Sequence, residues 1–128
     1  MNTEFLTIEG TVLKRCAKEA TGKIVIPEGV TEIGWCAFDG CESLTEIVIP
    51  EGVTKIGRST FSGCKSLTSV VIPEGVTEIG GAFAGCESLT EIVIPESVTE
   101  IDEGAFVPCE ALKKVSMPKR IRRQEKNN

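Results

Sequence analysis

The fold is decided by residues 47–67, which read IVIPEGVTKIGRSTFSGCKSL. The stretch opens with three β-branched residues, and Pro50 ends that run because proline has no N–H to give to a sheet. Gly52 follows in a short turn, since glycine tolerates a positive φ. Val53 and Ile56 then stand three apart, ahead of a brief segment around Phe61. The stretch therefore predicts one strand, a turn and a tight return.

The same pattern recurs along the chain. Its prolines are Pro27, Pro50, Pro73, Pro95 and Pro118, at steps of 23, 23, 22 and 23. Phenylalanine, cysteine and leucine keep the same phase at Phe38, Phe61, Phe83, Phe106, Cys41, Cys64, Cys86, Cys109, Leu44, Leu67, Leu89 and Leu112. One residue is missing in the third unit, at Gly80-Gly81. Repetition at this period indicates a solenoid whose coils stack on one another.

Stacking predicts where each residue type lies. A single coil cannot bury its Ile, Val, Phe and Leu side chains alone, whereas stacked coils place equivalent strands about 4.8 Å apart. We therefore expect one parallel sheet and a continuous apolar interior. The short Ala-Phe-x-Gly-Cys segment predicts a helical or 3₁₀ turn, because it is too brief for an independent helix. Residues 5–16 predict an N-terminal β-hairpin cap that turns near Glu9-Gly10.

These assignments predict a single domain over residues 1–128, with the following parts. The cap covers 5–22, four repeats cover 23–112, and a truncated last repeat covers 113–121. Residues 122–128 form a basic, disordered tail in this prediction. Stacking is expected to stop there because Gln124 stands where the pattern requires a core isoleucine.

The order of the landmarks resembles the BspA-like leucine-rich repeats, a bacterial and protist class with a 23-residue unit. The residues that carry the resemblance are Leu44, Ile47, Ile49, Pro50, Val53, Ile56, Phe61, Cys64 and Leu67. The resemblance implies a right-handed superhelix with the parallel sheet on its concave side. Better-known members are surface proteins that bind host or matrix proteins, and the family offers no catalytic motif to carry over.

Composition and charge bear on location and partners. Residues 1–112 hold 7 basic and 18 acidic residues, whereas residues 113–128 hold 7 basic residues and one acidic residue. Such a short basic end is more typical of a solvated terminus than of a nucleic-acid site, so nucleic-acid binding is disfavoured.

No stretch reaches the roughly 20 apolar residues of a membrane span, and residues 1–10 do not resemble a signal peptide. We expect a cytoplasmic protein, with the cell surface as the alternative if the chain is a fragment.

The repeated cysteines are best interpreted as small buried side chains that fill one position of each coil. A zinc site would need Cys or His pairs two to four residues apart, but Cys36 and Cys41 are five apart and the chain has no His. Disulfides between coils fit the strand spacing but are disfavoured inside a cell. Cys16 and Cys36 fall outside the pattern and are predicted to be the more exposed thiols.

The sequence gives no support for catalysis or for a cofactor. Glu28, Glu51, Glu74 and Glu96 recur at one turn position, so they share one environment, whereas acid–base catalysis needs carboxylates in different environments. We therefore expect neither an enzyme nor a metal or cofactor site.

The outward face of the sheet is the predicted binding surface. Its candidate residues are Val25, Val48, Val71, Val93, Glu46 and Glu91, and Trp35 is a further candidate at an outward position on the edge or convex side. The valine row could reflect β-propensity alone, or it could be an apolar strip that contacts a protein or a second copy. Trp35 could be a binding hot spot, although covering the N-terminal cap is the interpretation we favour. The sequence thus predicts a protein-interaction module that uses its concave face. A surface adhesin fragment or a purely structural repeat unit is the alternative.

Overall fold

The computed structural model describes residues 3–101 and 114–116. A 3₁₀ helix at Thr3–Phe5 precedes the strands of this part of the chain. The strands are β1 (Leu6–Glu9), β2 (Val12–Cys16), β3 (Gly22–Val25), β4 (Glu32–Ile33), β5 (Leu44–Val48), β6 (Lys55–Ile56), β7 (Ser69–Val71), β8 (Glu78–Ile79), β9 (Glu91–Val93), β10 (Glu100–Ile101) and β11 (Lys114–Ser116). The predicted last repeat lies outside the described residues apart from β11, and so does the basic tail.

The strands form two sheets, so the prediction of a single sheet was wrong. A five-stranded sheet has the order β11-β9-β7-β5-β3, and a six-stranded sheet has the order β1-β2-β4-β6-β8-β10. The second sheet arises because the short segment ahead of each core isoleucine is also extended and pairs with its equivalent in the next coil. Lys55 pairs with Glu78, for example, and Ile56 with Ile79. Two-residue strands are too short to show a period of two in the sequence.

The register follows the repeat. Within the five-stranded sheet, Ile47 lies opposite Ile24 on one side and Val70 on the other, and all these pairs are parallel. Ile92 continues the row beside Val70. The 22-residue step therefore leaves strand pairing in phase, and the predicted stacking of coils into parallel sheets is confirmed.

The helical or 3₁₀ turn predicted after the second strand of each coil takes the form of isolated turns with i→i−3 bonds, and no continuous helix forms there in the described residues. Successive amides there alternate between partners. The N–H of Ala37 donates to the Gly34 carbonyl oxygen at 3.2 Å, whereas the N–H of Phe38 donates to the Thr60 carbonyl oxygen of the next coil at 2.8 Å. Half of the donors are thus used between coils. The other half make i→i−3 bonds within one coil, so the segment is a series of turns and not a continuous helix.

The interior has the predicted composition. The repeated Val, Ile, Phe and Leu positions are buried along the described coils. Phe61 lies between Phe38 and Phe83, with ring centroids 5.5 and 5.2 Å away and interplanar angles of 16° in both pairs. The aromatic rings therefore stack along the solenoid as the coils do, at centroid distances that are favourable for aromatic pairs.

The cysteines of the repeat belong to the same interior. Cys41, Cys64 and Cys86 are fully buried and form no disulfide within the described part of the chain. The Cys64 thiol donates to the Phe38 carbonyl oxygen and the Cys86 thiol to the Phe61 carbonyl oxygen, each at 3.2 Å. Each thiol thus satisfies a backbone group of the preceding coil, which confirms the buried filling role. Cys109 lies outside the described residues.

Cys16 departs from the prediction, since it is buried rather than exposed. The Cys41 thiol lies 3.7 Å from the Cys16 carbonyl oxygen, so Cys16 begins the cysteine column although it is out of phase with the repeat. A hydrogen bond with the Cys41 thiol, helped by burial, raises the pKa of Cys16. Burial likewise raises the pKa of Cys64. Cys36, by contrast, is only partly buried.

The N-terminal segment forms a hairpin. Strands β1 and β2 pair antiparallel, and the chain turns at Gly10, whose φ is 64°. Phe5, Leu6 and Ile8 pack against the core while β1 forms one edge of the six-stranded sheet. The capping role of this hairpin and the right-handed superhelix stay predictions.

Three glycines lie where the backbones of neighbouring coils approach closely. A Cβ added at Gly57 would lie 2.6 Å from the backbone nitrogen of Trp35, and one at Gly80 would lie 3.1 Å from the Cα of Arg58. Gly34 is similarly close to the Leu13 carbonyl oxygen, at 3.2 Å. Gly81, which follows in the shortened repeat, has open space instead.

Replacing Gly57 with alanine should therefore destabilise the fold by about 1–3 kcal/mol, because backbone rather than a flexible side chain blocks the new methyl group. Gly81→Ala is the matched control and should be neutral or slightly stabilising, since its φ lies outside the left-handed region. Urea denaturation followed by circular dichroism would measure both. Equal stability of the two variants would contradict the close approach at Gly57.

Thiol titration should separate Cys36 from the buried column. Thiol reagents attack the thiolate, which is suppressed at Cys64 by its raised pKa and by burial. In the native protein, Cys36→Ala should remove one fast-reacting thiol equivalent from an aromatic disulfide assay, whereas Cys64→Ala should leave the fast phase unchanged. Both variants should lose one equivalent after denaturation. A smaller fast phase in Cys64→Ala would show that the column is accessible.

Candidate functional site

The five-stranded sheet carries the valine row in register. Val25 pairs with Val48, Val48 with Val71, and Val71 with Val93. Val25 is 49%, Val71 67% and Val93 51% exposed, whereas Val48 is half-buried. The row continues to Ser116 in β11, where it ceases to be apolar. The structure thus brings all four predicted valines together on one outward face.

A polar row runs beside the valines, two residues earlier in each strand. It consists of Lys23, Glu46, Ser69, Glu91 and Lys114, paired in that order. Glu46 is half-buried. The Glu91 backbone lies in β9, but its side chain lies outside the described residues. Acidic and hydroxyl residues therefore occupy the middle of this row, and a lysine stands at each end.

Threonines and the valines define a shallow groove between β7 and β9. Its lining includes Thr68, Ser69, Val71, Thr90 and Val93. The Thr68 hydroxyl donates to the Thr45 carbonyl oxygen of the preceding coil at 3.2 Å, which holds that side chain against the sheet. The groove thus offers an apolar floor with hydroxyl groups along its side.

Trp35 does not lie on this face. It follows β4 of the six-stranded sheet and is 74% exposed. Trp35 lines a groove next to the hairpin, together with Lys14 and Arg15 of β2. The ring lies beside the hairpin, but its exposure shows that it is not buried by covering it. The sequence analysis missed Lys14 and Arg15. They follow Leu13, which pairs in parallel with Ile33, just as Trp35 follows Ile33, and the repeat gives no signal for this register because the hairpin stands outside it.

The described residues contain no group of three or more Cys, Asp or Glu placed to hold a metal ion. The recurring turn carboxylates Glu28, Glu51, Glu74 and Glu96 are exposed, as predicted for solvated turns. Among the helices of the described part, none is long and apolar enough to cross a membrane.

Comparison with known proteins identifies the repeat. A model of the BspA type leucine-rich repeat region matches residues 7–127 with six copies. No curated protein sequence matches the chain. Repeat proteins of this family usually mediate protein interactions or adhesion, and they are generally non-enzymatic.

Solved structures of bacterial leucine-rich repeat proteins resemble the chain over most of its length. A protein from Bacteroides capillosus ATCC 29799 is 31% identical with a TM-score of 0.73, covering 89% of this chain and 99% of its own. A leucine-rich cell surface protein from Faecalibacterium prausnitzii A2-165 is 35% identical with a TM-score of 0.64 over 89% of this chain. The T. pallidum leucine-rich repeat protein is 28% identical with a TM-score of 0.68, covering 90% of this chain and 70% of its own.

The chain spans only 37% of the F. prausnitzii protein, so that protein is much longer than the matched region. The similarity to the B. capillosus protein extends over nearly all of both chains. The match over residues 7–127, the 23-residue register and these structures agree, and the chain belongs to the BspA-type leucine-rich repeat family.

Proposed function

We propose that the chain is a non-enzymatic protein-interaction module whose contact surface is the outward face of the five-stranded sheet. The observation that carries this proposal is the valine row, which keeps three of its four side chains about half exposed or more in strict register. An exposed, contiguous apolar strip bordered by polar residues is typical of a protein contact site.

The geometry of the strip favours a flat or extended partner. Val25 to Val93 span four adjacent strands, a distance of about 14 Å at ordinary strand spacing. The groove between Val71 and Val93, lined by Thr68 and Thr90, adds hydrogen-bonding groups next to apolar surface. Such a combination suits a partner that buries apolar side chains and pairs its polar groups with hydroxyls at the edge of the contact.

Glu46 and Glu91 complete the proposed surface. They stand in register on either side of Ser69, with Lys23 and Lys114 at the two ends of the row. Polar groups at the border of an apolar contact set its orientation and partner choice more than its strength. We therefore assign affinity to the valines and selectivity to this row.

An adhesin fragment is the second candidate. The observation in its favour is the 35% identity to a bacterial leucine-rich cell surface protein that is far longer than this chain. In that case the same face would act at the cell surface as part of a longer array, whereas the module proposed above would act in the cytoplasm. Detection of the protein in surface and cytoplasmic fractions of the source cells would separate the two.

The double variant Val48→Thr/Val71→Thr tests the proposed face. Threonine keeps the shape and the strand propensity of valine but adds a hydroxyl, so the sheet should persist while the apolar contact weakens. We expect at least about a tenfold loss of affinity for a captured partner, or of self-association, because each valine contributes roughly 1 kcal/mol when buried. Quantitative affinity capture and light scattering would measure the two cases.

The matched control is Lys55→Thr/Glu78→Thr, on exposed positions of the six-stranded sheet. It also introduces two threonines into adjacent strands and leaves the net charge unchanged. Binding and self-association should be retained there. If both double variants bind and associate like the parent protein, the valine face is not the contact surface, and the purely structural unit becomes the better description.

A further inference from the structure

Trp35 stands in a second groove, separate from the valine face. It is the only tryptophan of the chain and is the most exposed of the large apolar side chains described. The groove next to it is lined by Thr7, Glu9, Lys14, Arg15, Trp35 and Cys36. These residues belong to the hairpin and to the turn after β4, whereas the valines lie in β3, β5, β7 and β9.

Basic residues gather around this tryptophan although the surrounding chain is acidic. Residues 1–112 hold only 7 basic residues against 18 acidic ones. Lys14 and Arg15 are both exposed and both line the groove with Trp35. Arg58 occupies the Trp35 position of the next coil and is also exposed, and a neighbouring groove that shares Arg15 adds Lys18.

The backbone that presents the tryptophan is held firmly. The Cys36 N–H donates to the Arg58 carbonyl oxygen at 3.0 Å, and Gly57 lies directly against the Trp35 backbone nitrogen. Cys36 itself has a φ of 58°, a conformation that few side chains adopt. An exposed aromatic ring on a fixed backbone loses little entropy when it binds, which favours its use as an anchor.

We propose that this groove binds a peptide segment of a partner protein in which a carboxylate stands beside an apolar side chain. The apolar side chain packs on the indole of Trp35, and the carboxylate pairs with the guanidinium of Arg15, whose planar fork matches a carboxylate. Tryptophan and arginine are the residue types that dominate binding energy at protein contacts.

The charge of the groove selects a peptide over a polyanion. Glu9 lines the same groove as Lys14 and Arg15, so the local excess is a single positive charge. Asp39 and Glu19 border the neighbouring groove. A nucleic acid or an anionic membrane would bring many negative charges against these carboxylates. A peptide brings one carboxylate and can use its own N–H groups on Glu9.

The intrinsic fluorescence of the protein provides a direct test, because Trp35 is the sole tryptophan and the chain has no tyrosine. Random linear peptides displayed on phage would be selected against the folded chain, and the enriched peptides would be synthesised. We expect them to carry Asp or Glu next to an apolar residue and to shift the Trp35 emission to shorter wavelength. Amidated and free-acid forms of each peptide distinguish a side-chain carboxylate from a terminal one.

Variants assign the contacts. Arg15→Glu should weaken binding of the selected peptides by about tenfold or more, because a charge-assisted pair becomes a repulsion. Lys65→Glu makes the same change of charge at an exposed turn outside the groove and should bind like the parent protein. Trp35→Ala should bind more weakly by calorimetry while keeping the circular dichroism spectrum, since the ring is 74% exposed.

Several results would overturn the proposal. These are failure to enrich any peptide, enrichment of peptides without a carboxylate, or unchanged binding in Arg15→Glu. A Trp35 shift with single-stranded oligothymidylate or phosphatidylglycerol vesicles, but with no peptide, would assign the groove to another ligand class. Val48→Thr/Val71→Thr should bind the selected peptides normally, so failure at this groove is distinguishable from failure of the valine face.

Discussion

The structure depends on one constraint: each coil must offer the next coil backbone donors and acceptors at the same positions. The N–H of Thr54 meets the Thr31 carbonyl oxygen at 2.9 Å, and the N–H of Thr77 meets the Thr54 carbonyl oxygen at 3.1 Å. Similar bonds run along both sheets and through the turns between them. Because an unpaired buried backbone group is costly, the length of the repeat is fixed wherever these bonds occur. The one shortened repeat shows where the hydrogen bonds between coils tolerate a change in repeat length. Its missing residue falls at Gly80-Gly81, between β8 and the next buried Phe.

The same constraint determines what can lie inside. Equivalent positions face each other at strand spacing, so any side chain that suits one coil must tolerate its own copy in the next. Aliphatic residues do so by dispersion, and the phenylalanines do so by stacking at 5.2–5.5 Å. Cysteine does so because its thiol reaches a carbonyl oxygen of the preceding coil. A buried carboxylate column would instead place like charges in contact, which accounts for the absence of buried carboxylates among the residues whose burial the structure describes.

Sequence periodicity predicted the parts of the fold that repeat with it. The stacked strands, the buried Phe and Cys positions and the valine row all follow from a 23-residue step and a period of two along a strand. The second sheet was missed because Glu32–Ile33 and its equivalents are too short to show that period. The predicted turn occurs but does not become a regular helix, because Phe38 donates its N–H to the next coil, which a single coil does not reveal. The burial of Cys16 was missed because the hairpin joins the solenoid out of phase with the repeat. The contacts of hairpin residues therefore do not follow the 23-residue spacing.

Periodicity also separates two ways in which such a chain can bind. Under the proposed function, each added coil would add one similar valine contact, so the strength of the contact would grow with the number of coils and its chemistry would be nearly uniform. Trp35 has no counterpart, because Arg58 occupies its position in the next coil and Gly80-Gly81 contracts the one after. A contact there must come from a unique arrangement of side chains, which the junction between hairpin and solenoid supplies. The two proposed contacts, one that accumulates along a sheet and one that depends on a single singular position, therefore lie in different parts of the molecule. A change in the number of coils would alter the first while leaving the second intact.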